Sequence, residues 1–268
     1  MAHDPLADAR TAVHRATEEE RTLEDQRTAG SAYRAAVQRT TALQRRRGLA
    51  RFLYENGLVL VATALFLLSF VGQVATGHAH HNAEQRTHGQ PTLTLAQYLQ
   101  SGAFVEATAE NWESEFLQMA VFVVLTAFLY QRGSSESKDI EEPTSVDQRP
   151  EEARDDPDAP WAVRRGGLAL AVYRHSLSLA LFALFAASFA LHLAGGAADY
   201  NEEQRAHGEA TISTLAYLAT SRFWFESFQN WQSEFLSVAV LVLLTVWLRE
   251  QGSPQSKPVA APHHETGE

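Results

Sequence analysis

No cysteine occurs among the 268 residues, so a disulfide framework, a thiol nucleophile and thiolate metal ligation are all excluded, whatever compartment the chain occupies. Basic charge is scarce too: 22 Lys and Arg stand against 32 Asp and Glu, a formal net charge of -10. An acidic balance gives no reason to expect nucleic acid as a partner, and the Arg45, Arg46, Arg47 cluster is better explained by membrane topology. A Gly-rich phosphate loop, a His-Glu-x-x-His helix and a nucleophile elbow are also missing. Catalysis has no positive support in the sequence, so the expectation is a chain that is not an enzyme and carries no cofactor.

What the chain has is segregation. Apolar residues gather in four runs beginning near Gly57, Phe116, Leu168 and Phe235, separated by polar stretches. The run from Gly57 to Thr76 holds twenty residues and no charge, enough to cross a hydrocarbon core about 30 Å thick. It starts too late in the chain to be the core of a cleavable signal peptide. The pattern predicts an all-α integral membrane protein.

Residues 54–138 align without a gap onto residues 173–257 at a constant offset of 119, with about 37 of 85 positions identical. Such self-similarity marks a duplicated structural unit, here a span, a polar loop and a second span. The expected organisation is a cytoplasmic helical extension over residues 1–50, then a first unit over 51–138 with spans near 57–76 and 112–130. An acidic disordered linker over 139–160 follows, then a second unit over 161–257 with spans near 174–195 and 231–248, and a disordered tail over 258–268. Lys and Arg near the span ends divide eleven to three between the two sides, with only Arg86, Arg205 and Arg222 on the minor side. By the positive-inside rule both termini and the linker face the cytoplasm, and the units share one orientation. The predicted body is a 2+2 bundle of four transmembrane helices with short outer-face helices.

Two motifs recur in the loops. In the first, Asn82 is placed to cap a short helix, with Gln85 completing a capping box, Glu84 in the first turn, His88 in the last and Gly89 at the left-handed C′ position. Asn201, Glu203, Gln204, His207 and Gly208 repeat this. Arg86 and Arg205 are left unexplained by capping. In the second motif Asn111 and Asn230 are expected to cap the spans that follow, with Trp112 and Trp231 as interfacial belt residues. Glu115 and Glu234 fall in the first turn of a span, where a carboxylate must pair or protonate. Arg86 and Arg205 are their expected partners.

Within the apolar runs the polar inventory is small: Gln73 and His192 occupy one repeat position, and Ser69, Ser188, Thr126 and Thr245 are matched. Interhelical hydrogen bonding accounts for these, and no row of acids or bases is seen to mark an ion pathway. The cluster of His78, His80, His81 and His88 with Glu84 has metal-ligand chemistry. Ala197, Asp199 and Tyr200 replace three of these histidines in the second copy, so no functional metal is expected.

The stretches Arg51-Phe-Leu-Tyr-Glu-Asn-Gly, Asn82-x-Glu-Gln-Arg-x-His-Gly, Asn111-Trp-Glu-Ser-Glu-Phe-Leu-Gln-Met and Gly133-Ser-x-Glu-Ser-Lys resemble a bacterial membrane family catalogued as a domain of unknown function. The resemblance covers Arg51 to about Pro262 and implies a bacterial inner-membrane protein built from duplicated two-span units. It implies no ligand and no catalytic residue. The expected role is structural or interactive, in the cell envelope, with the lipid bilayer as partner and apolar outer faces able to support a homo-oligomer. The alternative is a small transporter, channel or solute-binding module using the seam between repeats, with Gln73, His192, Glu115 and Glu234 lining a polar cavity. An enzyme would need His88, His207, Glu84 and Glu203 to converge on one ion.

Overall fold

The computed structural model describes residues 48–141 and 144–267. The Arg45–Arg47 cluster and all but the end of the N-terminal extension lie outside them. Among the described residues there are nine α-helices and no strand, the all-α class expected. The chain divides into two compact units, Met1–Ala75 and Thr76–Glu268.

In the first unit, α1 (Leu49–Glu55) is followed by the start of α2 (Gly57–Thr87). No residue of α2 up to Ala75 is buried, and Leu58, Leu65, Leu68 and Val71 are all exposed. A helix apolar on every side and uncovered by protein suits lipid.

The second unit contains α3 (Leu95–Tyr98), α4 (Gly102–Phe128), α5 (Trp161–Arg165), α6 (Gly167–Tyr173), α7 (Ser176–Ala206), α8 (Thr214–Tyr217) and α9 (Ser221–Leu244). Helix α4 packs along α7 and, less extensively, against α9. A small core of Ala197, Tyr217 and Phe223, flanked by Phe189, Leu193, Tyr200 and Trp224, holds α7, α8 and α9 together. Glycine lets α4 and α7 approach. A Cβ on Gly195 would stand 2.6 Å from the backbone nitrogen of Glu106, and one on Gly196 would stand 2.9 Å from the Glu106 carboxylate. Only small residues permit backbones this close.

Two helices, α2 and α7, are long and apolar enough to cross a membrane by length and composition. The expectation of four spans is not met on that criterion. Helices α4 and α9 begin earlier than expected, at Gly102 and Ser221, and stop at Phe128 and Leu244. Their last carboxylates are Glu115 and Glu234, leaving only 13 and 10 apolar-rich residues before the helices end. That is about 20 Å and 15 Å at 1.5 Å per residue, short of a hydrocarbon core of about 30 Å.

The loop motifs also differ from the capping reading. Asn82 lies inside α2 and Asn201 inside α7, because each helix runs for 31 residues, about 46 Å, well past a hydrocarbon thickness. Each asparagine instead pins the chain that follows. Leu93 N–H donates to Asn82 Oδ1 at 2.7 Å while Asn82 Nδ2 donates to the Leu93 carbonyl at 2.9 Å. Asn201 does the same with Ile212, at 2.8 Å in both directions. At the helix ends Gly89 and Gly208 take the expected left-handed conformation, with φ of 66° and 73°, whereas His88 and His207 stand just past α2 and α7 rather than in their last turns and bond through Nδ1 to carbonyls one turn back. Ser101 and Thr220, rather than Asn111 and Asn230, cap α4 and α9.

Beyond the helices, the matched Gly-Ser-x-x-Ser-Lys ends form the same turn twice. Ser137 accepts from Gln131 N–H at 3.0 Å and Ser256 from Glu250 N–H at 2.9 Å. Residues 258–267 fold back over Lys257, which is 1% exposed and donates to the carbonyls of Pro262, His263 and Glu265. The acidic stretch after Lys138 contains short 3-10 turns at Ser145–Asp147 and Pro150–Ala153, with Lys138 paired to Asp147 and Arg174 to Glu151.

Candidate functional site

Charge is buried where α4, α7 and α9 meet. Glu106, Glu110 and Glu113 follow one another on α4 at the i, i+4, i+7 spacing that puts them on one face. Opposite them α7 supplies His192 and Asp199, and α9 supplies Arg222 and Glu226. His192 and Glu113 are each 0% exposed, and His192 Nδ1 lies 2.7 Å from Glu113 Oε2. The other oxygen of Glu113 accepts from Trp231 Nε1 at 3.0 Å. The far side of the imidazole is different: Nε2 is buried and has no hydrogen-bond partner, with Glu226 Oε2 at 3.5 Å. Phe223 stacks on the ring, centroids 4.8 Å apart.

Around this pair the carboxylates are held at close quarters. Tyr217 hydroxyl lies 3.2 Å from Glu106 Oε1 and 3.0 Å from Glu226 Oε2. A phenol has one proton to give, so both contacts are satisfied only when one of the two carboxyls is itself protonated. Glu106 fits that role, since it is buried and does not share the close guanidinium contact that Glu226 has with Arg222. Burial, with Glu106 and Glu226 beside it, raises the Tyr217 hydroxyl and keeps it a neutral donor. Arg222 ties the cluster off: it bonds Glu226 at 2.9 Å, Asp199 at 2.9 Å and Glu203 at 2.8 Å, and its Nη2 is 3.7 Å from Glu106.

Arg222 also lines a cleft of about 590 Å³, together with Glu84, His88, Glu202, Glu203 and His207. Gln85 reaches across this cleft to Glu202 at 3.2 Å. The two loop motifs therefore share one vestibule, and the guanidinium lies between it and the buried carboxylates. His88, His207, Glu84 and Glu203 meet in this cleft, but among the described residues only Glu106, His192 and Glu226 bring ligand atoms within metal-binding distance of one another.

Several expected site residues stand elsewhere. Arg86 and Arg205 form no ion pair with Glu115 or Glu234 among the described residues, and Arg86, Arg205 and Glu115 are exposed. Asn111 and Asn230 bond back to the carbonyls of Ala107 and Glu226. Gln204 bonds Glu209, and Glu84 pairs with His80. Of the four residues expected to line a polar cavity, His192 is in the cluster, Glu115 is exposed and Glu234 half-buried, while Gln73 belongs to the first unit.

Sequence reading missed Glu106, Glu110, Glu113, Arg222 and Glu226 for one reason. It weighed positions where the copies agree, and these are positions where they differ. At the offset of 119 they answer to Phe225, Gln229, Gln232, Ala103 and Ala107. The signal was the concentration of charge differences on one face of each helix.

No curated protein and no solved structure matches the chain. A family model described as Domain of unknown function (DUF6766) matches residues 49–268, which includes both long apolar helices and every residue of the buried cluster. The chain belongs to this family.

Proposed function

We propose that the protein is a cation-binding module of a bacterial inner membrane, of the transporter, channel or solute-binding class, with its site on the seam between its two repeats. The observation that carries this reading is the cluster of three carboxyl groups around His192, Glu106 and Glu113 buried and Glu226 half-buried, with one imidazole and one guanidinium. Burying ionic groups costs more than apolar packing of the same volume returns. A purely structural or interactive role, the plainer reading of the sequence, leaves that expense unexplained. The vestibule supports the cation reading, because Glu84, Glu202, Glu203 and Asp199 line it and an acidic cleft concentrates cations.

In this reading the copies descend from an internal duplication. Helices α2 and α7 cross the bilayer, and α4 and α9 complete the passage as polar-lined helices whose carboxylates are shielded against protein. Both termini then lie in the cytoplasm, in line with the eleven-to-three asymmetry of Lys and Arg. No bond-making step is involved.

The test is reconstitution of the full chain into vesicles carrying internal pH and metal indicators, with inward gradients of protons, Na+, Mn2+ or Zn2+ applied in turn. Movement or saturable binding of at least one cation is expected, reduced at least tenfold in Glu226→Gln. If none of these cations binds or crosses, the reading is wrong. Topology is read separately. The chain lacks native cysteine, so single cysteines placed at Gln90 and Gln255 should react with an impermeant maleimide from opposite sides.

A further inference from the structure

We infer that Glu106, His192 and Glu226 form a binding site for one divalent transition-metal ion, with Glu113 as the group that orients the histidine. The inference rests on the cation reading above and narrows it to an ion class.

The first support is the state of the imidazole. Glu113, as a carboxylate, only accepts hydrogen bonds, so the 2.7 Å contact has His192 Nδ1 donating. Nε2 on the other side of the ring is buried and unpartnered and faces the Glu226 carboxylate at 3.5 Å. This contact calls for a positive centre between nitrogen and oxygen, which a proton on Nε2 or a metal ion in its place supplies. With ligands about 2.1 Å from a tetrahedral ion, neighbouring donor atoms sit about 3.4 Å apart, which the observed separation matches. One ligand atom from each of Glu106, His192 and Glu226 lies within 4.8 Å of the other two, so a modest rotation of the glutamates, with the ion displacing the proton held on Glu106, closes the set and leaves a fourth position for water or solute.

The second support is the surroundings. A carboxylate bonded to the distal nitrogen of a metal-binding histidine is the usual device for fixing tautomer and ring orientation. Glu113 has that relation to His192, and Trp231 fixes Glu113 in turn. Imidazole with carboxylates, in a chain without thiolate, suits Zn2+, Mn2+ or Fe2+. Arg222 occupies Oε1 of Glu226, while Oε2 accepts from the Tyr217 hydroxyl and keeps its other lone pair toward the histidine.

The third is stoichiometry. The repeat-equivalent positions of Glu106, His192 and Glu226 hold Phe225, Gln73 and Ala107, which cannot build a second copy of the site. One ion per chain follows, despite the duplication.

The experiment is titration of the purified, chelator-stripped full chain with Co2+, read by visible absorption, followed by competition with Zn2+. Expected are one ion per chain, affinity at least 100-fold weaker in Glu226→Gln and Glu106→Gln, and about 10–100-fold weaker in Glu113→Gln. His192→Ala should abolish the visible band; because that side chain is wholly buried, the near-isosteric glutamine variants decide the matter if it fails to fold. Glu115→Gln, at an exposed carboxylate, should bind as wild type. Sub-stoichiometric uptake, or uptake unchanged in Glu106→Gln and Glu226→Gln, overturns the metal site and assigns any bound ion to surface histidines. If metal does not bind but proton movement still depends on Glu226, the metal falls and the cation reading stands. Loss of both removes both.

Discussion

Tyr98 and Tyr217 stand at equivalent positions on the same local scaffold, each ending a four-residue helix set after an asparagine-pinned loop. Their surroundings differ. Tyr98 packs among the rings of His78, His81 and Phe104. Tyr217 packs on Phe223 and reaches Glu106 and Glu226 with its hydroxyl. The same local frame thus occurs twice, and carboxylates reach the tyrosine hydroxyl in only one of them among the described residues. The frame is what the copies share because its bonds are local: each asparagine reaches a backbone 11 residues away. The charges differ because their partners lie 79 and 111 residues away, where one copy meets the other.

The sharpest way to break the comparison is at Glu113 and its equivalent, Gln232. Glu113→Ala leaves His192 buried without its partner and should cost about 3–5 kcal/mol in thermal or denaturant unfolding. Gln232→Ala, at an exposed site, should change stability by less than about 0.5 kcal/mol. Equal losses would mean that the buried pair has no special weight.

Helix approach is next. Gly195 answers to Thr76 in the first copy. Gly195→Thr should destabilise by about 1–3 kcal/mol or more, since the new side chain meets the backbone of α4 rather than a movable side chain. A harmless Gly195→Thr would show that α4 and α7 can separate freely.

The shared frame should respond equally in both copies. Asn82→Ala and Asn201→Ala each leave a loop N–H and carbonyl without their bonds, with an expected loss of about 1–3 kcal/mol. Hydrogen exchange should accelerate at Leu93 and Ile212 respectively. A large difference between the two variants would mean that the loops are not equivalent.

The smallest effect concerns the matched lysines. Lys257 is buried against carbonyls, whereas Lys138 pairs with Asp147 at 2.6 Å. Hydrogen bonds from Lys138 and Thr144 hold the Asp147 carboxyl below its usual range. A depressed carboxyl contributes stability above its unfolded pKa and loses it as pH falls through the folded value. Proteolytic protection of residues 144–153 should therefore drop as pH falls below about 4, and Asp147→Asn should remove that dependence. The turn around Lys257, held by carbonyls that do not titrate, should keep its protection through the same range.

Much of this was legible in advance. The all-α class, two of the four expected spans and the helix-ending glycines follow from local pattern, since hydrophobic run length and terminal backbone chemistry are properties of a short segment. The asparagines misled because capping and loop-pinning use the same side chain and the same acceptor oxygen. What decides between them is whether the helix has already started, and here α2 and α7 continue well past the apolar runs. Glu115 and Glu234 misled in a similar way: being matched made them conspicuous, yet the carboxylate that meets His192 is Glu113, two residues earlier and therefore on another face of α4.

By itself, then, the sequence determined that the chain is helical, that its two longest apolar helices suit a bilayer, and that one loop motif occurs twice. Segment-level free energies are enough for that. Only the tertiary structure decided which charges are buried together, because the glycines at Gly195 and Gly196 bring α4 of one copy against α7 of the other. A carboxylate is solvated, paired or ion-binding according to what that crossing places within a few ångströms of it.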